Sequence, residues 1–304
     1  MRAPLPHGRG SENACHETHK TKVDDALVMP ELPEAETIAR GLRRAVRGQK
    51  LRTTHLTRPE MVHGVDCTLS TALRNRKVMD VIRRGKRVII RLDKGASLVF
   101  ALGMTGSITV ERASEACDRH THLRISFGDR SREIRFRDPR RFGVIWFLDN
   151  STATSGRQLS PLGDEPLEIN ITRFRALLTR KRQIKAFLLD QRLIAGLGNI
   201  YCDEALHRAG IHPTIRADDL TPKQSLALLR RIRSVLRSAI KCGGSTFMDY
   251  RNADGRPGGF QRKHRVYQRE GQPCYRCNTQ IQRIAAAGRS THFCPTCQPH
   301  VGTA

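Results

Sequence analysis

Four cysteines near the carboxyl end have the spacing of a metal site. Cys274 and Cys277 are separated by two residues, as are Cys294 and Cys297, and a spacer of 16 residues joins the pairs. Two tight turns of this kind hold four thiolates around one Zn²⁺ with no open position, which is typical of a structural site. Four unrelated thiols or two disulfides are the alternative, but no export signal directs the chain to an oxidising compartment. We predict one structural zinc ion.

Small residues lie between the two cysteine pairs and lead to an arginine, in the run Ala285 to Thr291. Small side chains allow a backbone to approach a partner closely. Composition alone leaves Arg289 open between a solvated surface charge and a contact to a phosphate.

The glycine-rich segment Gly196 to Tyr201 is a second candidate for anion binding. A turn of this type that opens a helix presents backbone N–H groups, and here also Asn199, to an anion. Its spacing is not that of a dinucleotide fingerprint, and no parallel strand is evident before it. By itself the motif is weak, and a plain turn between two helices is its more common use.

Two carboxylates alternate with prolines in the segment Met29 to Glu34. Taken alone, this segment is the acidic start of a helix, where carboxylates complement the helix dipole. Residues 1–28 before it sum to zero charge, have no apolar core of a signal peptide, and contain acidic residues that argue against a transit peptide. We interpret them as a disordered extension or as a misassigned start, with translation beginning at Met29.

The charge of the chain points to a polyanionic partner. Lysine and arginine number 54 against 29 aspartates and glutamates, and the whole net charge of +25 falls after residue 28. No run of about 18 to 20 apolar residues is present to cross a membrane, whereas 38% hydrophobic residues suffice for cores. Nucleic acid is the commonest partner for such a protein. We therefore expect a cytoplasmic protein that is neither secreted nor membrane-bound.

Hydrophobic periodicity indicates which elements position these motifs. Apolar residues four apart predict a helix over Pro33 to Arg47. Two β-hairpins are then predicted, with Arg87 to Leu92 and Ser97 to Leu102 forming the first, and His122 to Phe127 and Glu133 to Phe136 the second. Strands that follow one another through tight turns favour an antiparallel sandwich.

The second half of the chain is predicted to be mostly helical. Gly and Pro residues mark residues 151–166 as a linker. A capping box at Thr221 to Gln224, with Pro222 at the first helical position, begins an apolar stripe that Gly243 and Gly244 terminate. The cysteine-rich tail follows.

An amino-terminal segment and six further segments, in order, resemble the bacterial formamidopyrimidine-DNA glycosylase family over essentially all of residues 29–298. The family begins Met-Pro-Glu-Leu-Pro-Glu and loses its initiator methionine. Beyond Met29 to Glu34, the matching segments are Arg83-Arg84-Gly85-Lys86, Leu102-Gly103-Met104-Thr105-Gly106-Ser107, Asp138-Pro139-Arg140-Arg141-Phe142-Gly143, Gly196 to Tyr201, Ala209-Gly210-Ile211-His212-Pro213 and the four cysteines.

The resemblance implies an α+β fold with DNA bound in a cleft. The amino-terminal antiparallel β-sandwich with flanking helices would span residues 29–150, before the linker. A helix-two-turns-helix domain would span 167–262, and a β-hairpin zinc finger 263–304. A single cleft for duplex DNA requires only a monomer.

The family excises oxidised purines and then cuts the DNA strand at the abasic site. By this resemblance Pro30 is the nucleophile, Glu31 the acid that opens the deoxyribose, and Glu34 a residue that orients the site. Lys86 and Arg289 would serve the two eliminations. Residues implied to contact DNA or fill the void left by the flipped base are Met104, His120, Arg140, Phe142, Lys181 and Asn199.

Several alternatives remain open at this stage. Without the resemblance, Met104 and Phe142 would be interpreted as core residues, and His120 and Lys181 as ordinary surface charge. Within the superfamily, an endonuclease VIII type of enzyme removes oxidised pyrimidines instead. If Pro30 stays inside the chain, its amide nitrogen cannot form an iminium, and a non-catalytic zinc-containing DNA-binding protein is the remaining function. The loop Phe247 to Phe260 resembles a mobile loop over the flipped base.

Overall fold

The computed structural model describes residues 30–65, 68–149, 159–246 and 250–300. The predicted extension, the first half of the predicted linker and the start of the loop at Phe247 lie outside these ranges. Within them, no helix combines the length and the apolar character needed to cross a bilayer.

Helix α1 spans Leu32–Val46 and confirms the first predicted helix. Glu34, in its first turn, accepts a hydrogen bond of 2.9 Å from the backbone N–H of Glu31. The stripe formed by Ile38, Leu42 and Val46 is fully buried. The helix therefore packs its apolar face into the core of the amino-terminal half.

Nine strands and one short helix follow. Their bounds are Leu51–Leu56 (β1), Val62–His63 (β2), Leu69–Leu73 (α2), Val78–Arg84 (β3), Arg87–Leu92 (β4), Ser97–Ala101 (β5), Ser107–Arg112 (β6), Thr121–Phe127 (β7), Arg132–Arg137 (β8) and Val144–Leu148 (β9). They form a five-stranded sheet in the order β2-β9-β5-β4-β3 and a four-stranded sheet in the order β1-β7-β8-β6. Both sheets and α1 share one hydrophobic core.

Both predicted hairpins are confirmed. Strands β4 and β5 pair antiparallel around a turn in which Lys94 and Gly95 have positive φ, and β7 pairs with β8 around Gly128 and Arg130, which also have positive φ. Positive φ at such turn positions is what short hairpin loops require. The pairing is antiparallel throughout both sheets except between β2 and β9, a short parallel pair that the sequence did not indicate.

The described part of the carboxyl-terminal half contains four α-helices and a hairpin. The helices are Ile171–Leu178 (α3), Ile184–Leu189 (α4), Asn199–Ala209 (α5) and Pro222–Lys241 (α6), and the hairpin is Gln282–Ala286 (β10) with Arg289–Phe293 (β11). The predicted capping box of α6 is present, with Thr221 and Gln224 bonded to each other's backbone. Gly243 and Gly244 have positive φ just after the helix, so the predicted stop is also confirmed.

Candidate active site

The carboxylate of Glu31 is buried against the first turn of α5. Its two oxygens accept hydrogen bonds from the backbone N–H groups of Gly198, at 2.7 Å, and Ile200, at 2.9 Å. A Cβ at position 198 would overlap the Glu31 carboxyl group, so only glycine allows this approach. The glycine-rich turn therefore does bind an anion, as its type predicts, but the anion is a side chain of the same protein.

Glu31 is held in a state that exchanges protons near neutral pH. Burial raises the pKa of its carboxyl to about 7, and the nearby Glu34 carboxylate contributes, while Lys86 and the α5 N–H groups oppose the shift. A carboxyl group with a pKa near the working pH is suited to general acid–base catalysis.

Glu34 ties the backbone before α1 to α5 and to the segment after α6. One oxygen accepts the N–H of Glu31, and the other accepts the hydroxyl of Tyr201 at 2.5 Å and the N–H of Ser245 at 2.7 Å. Burial raises the pKa of Glu34 as well. These contacts fit the orienting role predicted for Glu34; the sequence did not single out Ser245.

Lys86 approaches Glu31 from the turn between β3 and β4. Burial lowers the pKa of this half-buried lysine, the Glu31 carboxylate opposes the change, and the positive charge of Arg289 adds to it. Gly85, with positive φ, donates its N–H to Glu165 at 2.7 Å, which fixes the turn. The structure thus brings both Glu31, which directly follows Pro30, and Arg289 within electrostatic range of Lys86.

Arg289 is exposed at the tip of the β10–β11 hairpin, where Ala287 and Gly288 form the turn with positive φ. The next residue, Ser290, accepts a hydrogen bond of 2.9 Å on its carbonyl oxygen from the side-chain amide of Asn199. The start of α5 is therefore bonded directly to the hairpin tip.

A buried ion pair that the sequence did not predict contacts the β10–β11 hairpin. The ammonium of Lys185 lies 2.6 Å from Asp203, and it also donates to the Ser290 carbonyl and the Thr291 hydroxyl. Both charged side chains are fully buried. A lysine inside the apolar helix α4 was the available signal, and it identifies the position but not the partner.

Phe142 is 53% exposed, so the interpretation of this residue as core is wrong. Its ring lies 5.0 Å from the guanidinium of Arg140. The two loops that carry Met104 and Phe142 are held together by Asp138, which accepts the Thr105 hydroxyl at 2.5 Å and the Gly143 N–H at 2.6 Å. Met104 itself is half-buried.

His120 and Lys181 lie apart from the Glu31 cluster in the described contacts. The His120 ring pairs with Asp118 at 3.1 Å, and its carbonyl accepts the N–H of Asp138, which places it beside the Phe142 loop. Lys181 is exposed between α3 and α4, close enough to Asp218 to help lower the pKa of that carboxyl, after Arg216. Their roles stay predictions.

The four predicted zinc ligands converge. The sulfur atoms of Cys274, Cys277, Cys294 and Cys297 all lie within 4.8 Å of one another. Separations such as 3.5 Å for Cys277 to Cys297 and 3.9 Å for Cys274 to Cys297 approach the roughly 3.8 Å edge of a tetrahedron with 2.3 Å Zn–S bonds. Four thiolates complete the coordination of zinc, so this set fits a structural ion.

Fold and site together define a zinc-finger protein with an acid–base site between two domains. Three family models match it: the formamidopyrimidine-DNA glycosylase N-terminal domain at residues 29–145, the H2TH domain of the same enzyme at 162–251, and a zinc finger found in FPG and IleRS at 271–299. The chain belongs to the formamidopyrimidine-DNA glycosylase family, as the sequence resemblance predicted.

Individual relatives agree. A formamidopyrimidine-DNA glycosylase of Gluconobacter oxydans is 44% identical, over 89% of this chain and 100% of that protein. The crystal structure of MutM (Fpg) from Thermus thermophilus superposes with a TM-score of 0.78 at 42% identity, covering 88% of this chain and 98% of that one. A Lactococcus lactis Fpg variant bound to Fapy-dG-containing DNA gives 0.80 at 34% identity, covering 89% and 100%.

Proposed function

We propose that this chain is a bifunctional DNA glycosylase and abasic-site lyase that excises oxidised purines, such as 8-oxoguanine and formamidopyrimidines, in base excision repair. The observation that carries the proposal is the Glu31 carboxyl, which directly follows Pro30, is buried against α5 and has a pKa of about 7. Duplex DNA with oxidised bases is the proposed substrate, bound by one monomer.

The damaged nucleotide must leave the helix, because its sugar cannot be reached inside the stack. Extrusion costs a few kcal/mol of stacking and pairing. We propose that Phe142, which is exposed and lies against the Arg140 guanidinium, fills the resulting void together with Met104. Asp138 holds the two loops together. The side chains on them therefore lose less conformational freedom when they insert into the DNA.

Pro30 supplies the nucleophile when it is the first residue. A terminal amine has a pKa of about 7.7 to 8.0, so a useful fraction is unprotonated at neutral pH. Its nitrogen attacks C1′ of the sugar, and the base leaves with the electrons of the glycosidic bond and takes up a proton. Opening of the sugar then gives an iminium, which a secondary amine can form.

Neighbouring side chains carry out the remaining proton transfers, one each. Glu31 donates its proton to the ring oxygen O4′ as the sugar opens. Lys86, whose pKa is lowered by burial, accepts the proton from C2′, and the 3′ phosphate leaves. Arg289, whose charge acts on Lys86, is proposed to stabilise the phosphate that leaves in the second elimination, at the 5′ side. Asn199, His120 and Lys181 are proposed to hold the strand.

The active form is proposed to begin at Pro30, since an internal proline has only an amide nitrogen. The family model begins at residue 29, which supports this start. Intact mass of the native protein tests it. A mass with Pro30 as first residue is expected, and a mass that includes Met1 would make the catalytic assignment untenable for that form.

We also propose domain bounds of 29–150, 167–262 and 263–304, with 151–166 as linker. Two large hydrophobic cores support a division after β9, and a small cluster of Val266, Ile281 and two cysteines supports a separate finger.

Strand cleavage of a duplex with 8-oxoguanine opposite cytosine tests the activity. Protein beginning at Pro30 should leave phosphates at both ends of the gap, and Glu31→Gln should stop turnover while the fold is retained. A duplex with an oxidised pyrimidine is the control for lesion class. Preferential cleavage of that control, or unchanged turnover by Glu31→Gln, would contradict the proposal.

A further inference from the structure

A second group of cationic side chains lies at the far end of α5 from the active site. The helix runs from Asn199, beside Glu31, to Ala209, a length of 11 residues. Its ends are about 15 Å apart, because each residue advances the helix by 1.5 Å. Whatever binds at the carboxyl end of α5 is therefore separate from the reacting sugar.

Glu204 brings the chain after α6 onto this end of the helix. One of its oxygens accepts the backbone N–H groups of Arg265, Val266 and Tyr267 at 2.8 to 3.1 Å. Arg208 pairs with the other oxygen at 3.3 Å and donates to the carbonyl of Lys263 at 3.2 Å. The side chains of Lys263 and Arg265 are consequently exposed next to Arg208.

Two further elements add arginines to the same place. Helix α6, which contains Arg231, packs against α5, and repulsion from Arg265 and Arg231 adds to burial in lowering the pKa of Arg208. His207 contacts the sulfur of Cys274 at 3.5 Å, so the zinc knuckle with Arg276 lies against the same helix end. We call the set Arg208, Arg231, Lys263, Arg265 and Arg276 the distal cationic face.

Within the described part of the chain, Arg208 is the one member of this face that forms an ion pair with a carboxylate. The other four side chains are exposed, and α6 contains no acidic residue at all. Beside them Tyr275 is 72% exposed, with the Arg269 guanidinium 3.6 Å from its ring centre. Glu204 is the counter-charge of Arg208, and the other four cations repel one another, which a polyanionic partner would relieve.

We propose that the distal cationic face binds a second segment of duplex DNA while the cleft holds the first. The cations are spread over several elements, namely α5, α6, the segment with Lys263 and Arg265, and the zinc knuckle. Such a spread suits the repeated phosphates of a duplex backbone. The partner is already available, since the proposed function places the protein on DNA. Two occupied faces allow the protein to pass from one duplex segment to another without dissociating.

Stoichiometry of DNA binding tests this inference. The native protein is first saturated with an unlabelled duplex that contains an abasic-site analogue, and a labelled, lesion-free duplex is then titrated at low ionic strength and followed by sedimentation velocity. A complex of one protein with two duplexes is expected. The double variant Arg231→Ala/Arg265→Ala should weaken the second binding step at least about tenfold and reduce its salt slope by about 2.

A matched control removes two exposed arginines that belong to neither face, in the variant Arg91→Ala/Arg132→Ala, which should bind both duplexes as the native protein does. Binding of only one duplex by the native protein, or equal second binding by the two double variants, would overturn the inference. Strand cleavage is measured in parallel and should be unchanged in both variants. Absence of cleavage by the native protein would refute the proposed function. The number of duplexes bound per protein could still be measured, because it does not depend on cleavage.

Discussion

The protonation of Glu31 results from opposing contributions around one side chain. Hydrogen bonds from Gly198 and Ile200 and the positive end of α5 favour the carboxylate, as does Lys86, whereas burial and the Glu34 carboxylate favour the neutral acid. Burial prevails, and the pKa rises to about 7. Glu31 can therefore give up a proton at neutral pH and regain it between turnovers.

The pH dependence of strand cleavage follows from this pKa. Because opening the sugar requires protonated Glu31 and attack requires the unprotonated amine of Pro30, the single-turnover rate on an abasic-site duplex should reach a maximum between about pH 7 and 8 and should then fall by about tenfold per unit. A Glu31→Asp variant is the matched control, because its shorter side chain cannot keep both N–H contacts and the decline should move to another pH. A cleavage rate that does not fall above about pH 8 in the native protein would count against the assignment.

Phe142→Ala should separate stability from function. The ring is more than half exposed, so its removal should change the free energy of unfolding by no more than about 0.5 kcal/mol. Excision from duplex DNA should fall strongly, because the void beside the flipped base is left unfilled, while cleavage of a single-stranded abasic site should change little. Denaturant unfolding and the two cleavage rates are the measurements. Equal loss on both substrates would argue against a wedge.

Residue-level prediction succeeded where chemistry restricts the choice of side chain. The four cysteines converge as their spacing predicts, and Gly198 admits an anion because no side chain fits there. The bonds of Tyr201 and Ser245 to Glu34 could not be predicted, because they join positions 167 and 211 residues apart. Phe142 carries no local signal that separates an exposed phenylalanine from a buried one.

At the level of elements, α5 and β11 run side by side and set the position of Arg289. Asn199 bonds the Ser290 carbonyl near the hairpin tip, Asp203 accepts the His292 N–H at 2.9 Å further along, and His207 contacts Cys274 at the zinc end. The finger is thus attached along most of the helix. A structural zinc site at one end can hold the arginine at the other.

Lys185→Met should show how much the buried ion pair contributes to this attachment. Removal of the ammonium leaves Asp203 charged and buried without its partner, which should cost about 3 to 5 kcal/mol of stability. Denaturant unfolding measures the loss. The double variant Lys185→Met/Asp203→Leu should recover much of it, since no unpaired charge remains. An unchanged midpoint in the single variant would contradict a buried ionic pair.

Elements with strong local signals were predicted well. The positive-φ turns at Gly95 and Gly128 and the cap at Thr221 are short-range features, so the hairpins and α6 appear where the sequence places them. The parallel pairing of β2 with β9 joins strands far apart in the chain. Such pairing depends on the packing of the whole sheet, and a strand of two residues has no detectable period.

In the whole molecule, each half contributes a few residues to the hydrophobic core of the other. Leu32, at the start of α1, packs in the helical core, and Tyr250 and Ala253, from the segment after α6, pack in the sandwich core. Arg83 and Arg84 add ion pairs to Glu165 across the same boundary, both at 2.8 Å. The order of the domains was readable from sequence, but this interlocking was not, because each contribution is a single residue or a short loop.

Salt dependence is the property expected from the charge of the whole molecule. A net charge of +25 with arginines on both sides of the site should make DNA affinity fall steeply with salt, with a slope that grows by about 0.9 for each phosphate contacted. Fluorescence anisotropy with a lesion-free duplex over a range of salt concentrations measures it. A flat response would contradict backbone contacts as the main source of affinity.

The central claim is that the amine of Pro30 joins covalently to the damaged sugar, and borohydride trapping tests it most directly. Protein beginning at Pro30 is incubated with a duplex containing 8-oxoguanine opposite cytosine and reduced, and the adduct is digested and mapped by mass spectrometry. We predict a stable protein–DNA adduct whose modified peptide starts at Pro30, and no adduct when Met29 is retained. Absence of an adduct from the Pro30 form, or an adduct mapped to Lys86, would contradict the account.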